Sequence, residues 1–283
     1  MLEGLFAAFE TQGFARGRNL EVEMKHAGGE IANIPLMLQS LEDKGLDLVV
    51  TLTTPVLAGA CHAVRRTPVV FCYVTDPIAA GAGATFADHL PNVTGVGSFD
   101  PVEESFDIMM KLRPAPKAVG TMFNPSEANS SKVVSVAREI AKRRGLRLEE
   151  VTIHGTSDVI TAAQSLVTRD IDAIWVTTDN TAAQAFAAIG MTARKARLPL
   201  IANEKEQLHV GALIAVGPSW SQVGELAARM AARVLRGESP KDIPFENFVG
   251  ATVLLNHALA RDMGLALPAE ILALDGKSAP KAN

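Results

Sequence analysis

The sequence is poor in the groups on which most catalysis and most metal binding depend. It holds 2 cysteines in 283 residues, Cys61 and Cys72, with no Cys/His spacing that would ligate a metal. Both lie in apolar surroundings, which leaves two readings open: small core residues, or a disulfide between them. Neither suits a two-thiol racemase, which would want one thiol in each half of the chain. His26, His62, His89, His154, His209 and His257 show no paired spacing. There is no G-x-S-x-G elbow, no Walker loop and no H-E-x-x-H. Gly81, Gly83, Gly95 and Gly97 do not follow a strand and open a helix as a dinucleotide loop must. These absences disfavour an enzyme and imply neither a metal nor a cofactor.

Other absences narrow the partners. No run approaches the ~18 apolar residues of a membrane span, and no basic segment followed by an apolar one opens the chain. The formal charge of −4 comes from 27 basic and 31 acidic residues of mixed placement, not from the clustered Lys/Arg of a nucleic-acid footprint. The basic cluster Lys142-Arg143-Arg144 falls at a predicted helix end, where cations suit the macrodipole. Aromatics are scarce beyond phenylalanine: Trp175, Trp220 and Tyr73. That speaks against a sugar site, which tends to stack rings on its ligand.

What is present is an apolar fraction of 48%, enough for two cores, arranged as strands alternating with helices. Leu2, Leu5, Phe6 and Phe9 mark an opening helix. Leu20, Val22 and Met24 alternate with Glu21, Glu23 and Lys25, predicting an edge strand. Ile34, Met37, Leu38 and Leu41 make a helix face, followed by strand 46–52 and a helix to Arg66. Strand 68–74, a Gly/Ala-rich loop, strand 93–97 and helix 101–112 complete the first series.

The pattern restarts at Lys117 with strand 118–123 and helix 126–144. Strand 146–153, helix 157–167, strand 171–177, an Ala-rich helix to Lys195 and strands 198–202 and 212–216 follow. Helix 218–236, extended residues 245–255, helix 256–263 and a loose tail from Leu267 close the chain. Such alternation predicts right-handed βαβ units and parallel sheets. The fold class is therefore α/β: two doubly wound, Rossmann-like lobes joined by a hinge. A doubly wound half should begin with a strand, so a first strand of lobe 1 and an export signal are expected upstream of Met1.

Five strand ends share one composition: Thr53-Thr54-Pro55, Thr75-Asp76-Pro77, Asn124-Pro125-Ser126, Thr178-Asp179-Asn180 and Asn203-Glu204. Capping alone explains any one of them, since Ser, Thr, Asp and Asn are favoured N-caps. Ser126 or Asn124 is the expected cap of the helix after strand 118–123. Five at the same end of two sheets point to a ligand, because open α/β sheets bind there. Helix N-termini at Thr53, Thr54 and Ser126 offer donors to a carboxylate. Asp179, Asp76 and Glu204 are the candidate anions for an ammonium. An α-amino acid carries both groups. Tyr73 and Phe123 either wall a side-chain pocket or pack in the core; Trp175 fits the core and Trp220 a hinge.

The stretches PVVFCYVTDP (68–77), NVTG (92–95), FNPSEANS (123–130), VTTDN (176–180) and GALIAV (211–216) resemble the ABC-transporter substrate-binding proteins of the tryptophan/tyrosine-binding type, with the type I periplasmic-binding-protein fold. The resemblance spans essentially the whole chain. It implies a periplasmic or extracytoplasmic solute receptor for amino acid transport that delivers its ligand to an ABC permease and ATPase, touching the membrane complex only peripherally. It also implies an interlobe site, with Thr53, Thr54, Thr75 and Asp76 from lobe 1 and Asn124, Ser126, Glu127, Asn129, Asp179, Asn180 and Asn203 from lobe 2. Crossings are expected near 112–117, 216–220 and 243–248, giving lobe 1 as 1–115 with 218–244 and lobe 2 as 116–217 with 245–283. A ligand-sensing domain of a regulator or receptor with the same fold is the alternative, marked by a flanking DNA-binding or membrane segment.

Overall fold

A computed structural model describes residues 2–28, 30–176 and 178–279. Met1, at the expected strand-and-signal boundary, and Thr177, inside the VTTDN stretch and the end of predicted strand 171–177, fall outside the described residues. The chain forms two compact units, one from residues 1–99 and 219–249, the other from 100–218 and 250–283.

The first unit is a four-stranded parallel sheet. Its order is β1 (Val49–Leu52), β2 (Val69–Val74), β3 (Val93–Gly97) and β9 (Glu246–Asn247). Buried on both faces, these strands read as continuous apolar runs such as VVFCYV rather than as alternation. One face is covered by α2 (Ile34–Glu42) and α3 (Thr54–Ala63), whose Ile34, Leu38, Leu57 and Cys61 pack on Val69 and Phe71. The other is covered by α1 (Leu2–Thr11) and α9 (Trp220–Leu235), with Leu5, Phe9, Val223, Ala227 and Met230 against Val70, Cys72 and Val96. Each large apolar side chain buried there contributes roughly 1.5–3 kcal/mol. The two cysteines are free and buried. They sit in the cores on opposite faces of the sheet, which settles the disulfide alternative against a bond.

Two expectations fail. Residues 21–25 form no strand. Their alternation has no sheet face to bury against, and they lie exposed, with Glu23 paired to Lys44 at 2.5 Å. Of the tail expected to be loose, residues 267–279 are ordered, and residues 280–283 fall outside the described residues. The described part folds into α11 (Ala269–Leu272) with Ile271 fully buried, and the Val253 N–H donates to Lys277 O at 2.9 Å.

The loop after α3 is tied down by Glu42. Its carboxylate accepts from the N–H groups of Arg65 (3.1 Å), Arg66 (2.8 Å) and Thr67 (3.3 Å). Burial pushes this carboxyl up, but the Arg66 N–H, the Thr67 hydroxyl and the Arg65 and Thr67 N–H groups outweigh it and hold it at about 2. A carboxyl lowered on folding adds stability that is complete above its unfolded value near 4.5 and vanishes as pH falls through about 2. Denaturation of the first unit followed between those pH values should therefore show a loss of about 2–3 kcal/mol on acidification that Glu42→Gln removes. An identical acid profile in the variant would show that the contacts contribute nothing.

The second unit is a six-stranded sheet in the order β10 (Thr252–Leu255), β8 (Ile214–Gly217), β7 (Leu200–Ala202), β6 (Ala173–Trp175), β4 (Ala118–Phe123) and β5 (Arg147–Thr152). All neighbours are parallel except β10 against β8. β4 alternates its faces. Ala118 and Met122 join Ile174, Leu166, Phe186 and Ile189 in the core under α6 (Val159–Val167) and α8 (Phe186–Ala196). On the other face lies α5 (Ala128–Arg143), with Val133, Val134, Ala137 and Ile140 buried. Trp175 takes the core position expected for it, its ring 5.4 Å from Phe106 of α4 (Val102–Met109). α4 is fixed to α5 by Arg144, which pairs with Glu103 and, at 2.8 Å, with Asp107. The Ala-rich helix is broken at Ala185 into α7 (Asn180–Gln184) and α8.

Candidate functional site

Strand order locates the polar corners. In the second unit the chain runs from β4 out to β5, then back across to β6 on β4's other side. The sheet therefore reverses direction between β4 and β6, and the crevice at the carboxyl ends of that pair is where open α/β sheets take ligands. Asn124 follows β4, Thr178 and Asp179 follow β6, and Asn203 follows β7.

Asn124, Asp179 and Asn203 are buried, Thr178 is half-buried, and hydrogen bonds join these corners. Asp179 is the N-cap of α7 and accepts from the Ala182 N–H at 2.7 Å on one oxygen. On the other it accepts from the Asn124 N–H and the Ser130 hydroxyl, both at 2.6 Å. Burial, and then the neighbouring Glu127 carboxylate, push the Asp179 carboxyl above the usual aspartate range. Glu127 accepts from the N–H and the side-chain amide of Asn180 (2.9 and 2.6 Å) and from the N–H and hydroxyl of Thr181 (2.9 and 2.7 Å). The Asn124 side-chain amide donates to Thr181 Oγ1 at 2.9 Å. Two carboxylates thus satisfy the first N–H groups of α7, which otherwise have no partner inside the helix.

The expected cap of α5 is corrected by this arrangement. Neither Ser126 nor Asn124 caps it: the N-cap is Glu127, whose side chain accepts from no backbone N–H of its own helix and takes from that helix only the Asn129 side-chain amide at 3.4 Å. Asn124 Oδ1 instead accepts from the Ser126 N–H two residues on, at 2.9 Å, a local turn that competes with capping. Ser126 itself is exposed. The N-terminus of α5 is left without a side-chain cap in a corner lined by polar groups.

The edge of this network holds acceptors. The Asn129 amide donates to Thr178 O at 2.7 Å, and the Asn203 amide to Thr178 Oγ1 at 2.6 Å. Their carbonyl oxygens, Asn129 Oδ1 and Asn203 Oδ1, are buried with no partner among the described residues. Asn203 is held in place by backbone crowding. A Cβ on Gly217, at the end of β8, would lie 1.7 Å from Asn203 O, so only glycine lets the two strand ends meet. Glu204 is pushed by burial, with Glu206 adding to it, to about 7.

Several participants were not singled out in the sequence. Asp100 accepts from the Thr178 N–H at 3.1 Å and from its hydroxyl. The signal was present, since Asp100-Pro101 repeats the Asp-Pro pairing of Asp76-Pro77. Ser130 and Thr181 lie one turn into their helices, where sequence alone gives no reason to prefer them.

In the first unit the four candidates occupy the carboxyl ends of β1 and β2. Thr53 has φ 80°, and its carbonyl accepts from the Leu57 N–H at 3.1 Å. Thr54 opens α3 and accepts on Oγ1 from the Thr75 N–H at 3.2 Å. Asp76 accepts on one oxygen from the N–H groups of Ile78 (3.0 Å) and Ala79 (2.9 Å), capping its own turn. α3, like α5, has no side-chain cap.

Similarity to known proteins places the chain in a family. A 27% identical relative over 254 residues is a tyrosine-binding protein of Clostridioides difficile (strain R20291), covering 90% of this chain and 73% of the relative. A solved domain from Streptococcus pneumonia, an ABC domain in complex with L-Trp, superposes with a TM-score of 0.91 at 26% identity. The match covers 97% of this chain and 92% of that one. A conserved domain protein from Vibrio cholerae gives 0.92 at 27% identity, covering 97% and 93%. The profile of the family described as ABC transporter substrate binding protein matches residues 1–279. Its members bind a substrate rather than transform it, and the parallel two-sheet α/β fold is theirs. This chain belongs to the ABC transporter substrate-binding protein family.

Proposed function

We propose that the chain is the extracytoplasmic receptor of an ABC importer and binds an α-amino acid with a hydrophobic or aromatic side chain in a cleft between its two lobes. The observation that carries this reading is the pairing, at one end of the sheet, of an uncapped helix N-terminus (α5) with two buried acceptors that have no partner among the described residues, Asn129 Oδ1 and Asn203 Oδ1. The helix N-terminus suits the ligand carboxylate. The acceptors suit its ammonium, which has three donors and no acceptor of its own. Asp179 and Glu127 act mainly by fixing this frame, and their negative charge favours a cation beside it. Thr53, Thr54, Thr75 and Asp76, with the uncapped α3, supply the first lobe's share. The named tyrosine-binding relative and the L-Trp complex support an amino acid as the ligand class.

Closure follows as a hinge motion of the two lobes about the crossings of the chain, and the permease and ATPase complex reads the closed form. Titration calorimetry with L-tryptophan, L-tyrosine, L-leucine and glucose tests the reading. Saturable binding of one or more of the amino acids and none of glucose is expected; the reverse would overturn it.

A further inference from the structure

The carboxyl edge of the first unit's sheet holds features that neither capping nor packing explains. Tyr73, in β2, has φ 60°, and Thr53, just past β1, has φ 80°. Left-handed backbone at a non-glycine residue costs about 1–3 kcal/mol and gathers where a site needs a side chain aimed a particular way. Here it occurs twice, at the same end of adjacent parallel strands. The strained turn brings the Tyr73 ring against the indole of Trp220, centroids 4.0 Å apart at 62°.

Trp220 is the first residue of α9, a helix fixed to the sheet through Val223, Ala227 and Met230. Its Nε1 is buried and has no acceptor among the described residues. Ser98 shows the same deficit. It is 2% exposed, its Oγ has no partner among the described residues, and its N–H donates to Val74 O at 2.7 Å, which sets it beside the end of β2. Buried donors without acceptors cost about 1–3 kcal/mol each. One of them belongs to the strained aromatic pair itself, and the other stands beside the end of the strand that carries Tyr73.

We infer that Tyr73 and Trp220 form the wall that receives the ring of an aromatic amino acid, and that Trp220 Nε1 and Ser98 Oγ donate to oxygen on that ligand. The inference rests on the amino-acid reading above and adds its selectivity: rings over branched aliphatic chains. Aromatic pairs favour edge-to-face and offset contacts worth about 0.5–1.5 kcal/mol beyond the area they bury. Trp220 was expected at a hinge from its sequence position, and the chain passes between the units one residue before it, at 218–219; its ring contact, and a nitrogen with no partner among the described residues, give it a role in ligand selection as well.

The test uses the full chain and three variants. The chain has 2 tryptophans, and Trp175 is only 2% exposed in the other unit's core, so an emission change on titration with L-phenylalanine reports Trp220. The wild type should show that change, and Trp220→Phe should lose it while calorimetry still detects binding. Tyr73→Ala/Trp220→Ala should weaken L-phenylalanine or L-tyrosine by about tenfold or more and L-leucine by much less. Ser98→Ala should weaken every amino acid that binds, by a smaller factor. Equal losses for aromatic and aliphatic ligands, or no emission change in a wild type that binds, would overturn the aromatic wall alone. Absence of any amino-acid binding in the wild type would overturn the underlying reading as well. Should the double variant fail to fold, the emission and affinity results with Trp220→Phe decide the matter.

Discussion

Glu127→Ala is expected to lower the melting temperature of the second unit by on the order of 10 °C and to remove amino-acid binding at concentrations that saturate the wild type. The carboxylate is 1% exposed and receives the Asn180 and Thr181 N–H groups together with both of their side chains. Alanine leaves all four donors without that acceptor in a site from which water is largely excluded. Each buried donor left without an acceptor costs about 1–3 kcal/mol. Glu127→Gln keeps the shape but turns an N–H₂ toward donors, so it should fall between the two. Differential scanning calorimetry of the three proteins gives the ranking. A Glu127→Ala protein that melts with the wild type would mean that α7 finds other partners for its first turn.

Asp179→Ala is expected to weaken amino-acid binding by about 2–5 kcal/mol, a loss of roughly 30-fold to several thousandfold. The effect reaches the ligand mainly through position. The Asp179 oxygens are taken by Ala182, Asn124 and Ser130, so the side chain locks the corner after β4 to the corner after β6. Without it the α5 N-terminus and the Asn129 acceptor lose their common frame. Asp179→Asn should be nearly as damaging, because its amide nitrogen must face either the Ala182 N–H or the Asn124 N–H. Calorimetric affinity equal to wild type in Asp179→Ala would remove this residue from the site.

The polar corners were legible because strand ends in a parallel sheet are built from turn-forming residues. Thr53-Thr54, Thr75-Asp76, Asn124, Thr178-Asp179 and Asn203 each stand where a buried apolar run stops. The alternation of strands and helices was legible for the same reason. What could not be read was the direction of side chains once several corners share a space. Glu127 looks from sequence like a residue of its own helix's first turn, yet it caps the neighbouring helix, a choice made by the β4–β6 adjacency and not by local spacing.

Residues 20–25 carried a sound period-two signal, but alternation describes a strand only where a sheet supplies a face to bury against. The tail misled in the opposite way. Ile271 stands among Leu267, Leu272 and Leu274 in an apolar run whose helix is only four residues long, too short for a periodic signal, and it is fully buried.

The most direct measurement is the mass of whatever the purified full chain releases on denaturation. An amino acid, aromatic above all, that rebinds the refolded protein in equimolar amount is the result expected from the switch-point frame of Asn124, Glu127, Asn129, Asp179 and Asn203. A released sugar or nucleotide that rebinds in the same way, with no amino acid competing for it, would contradict the zwitterion site.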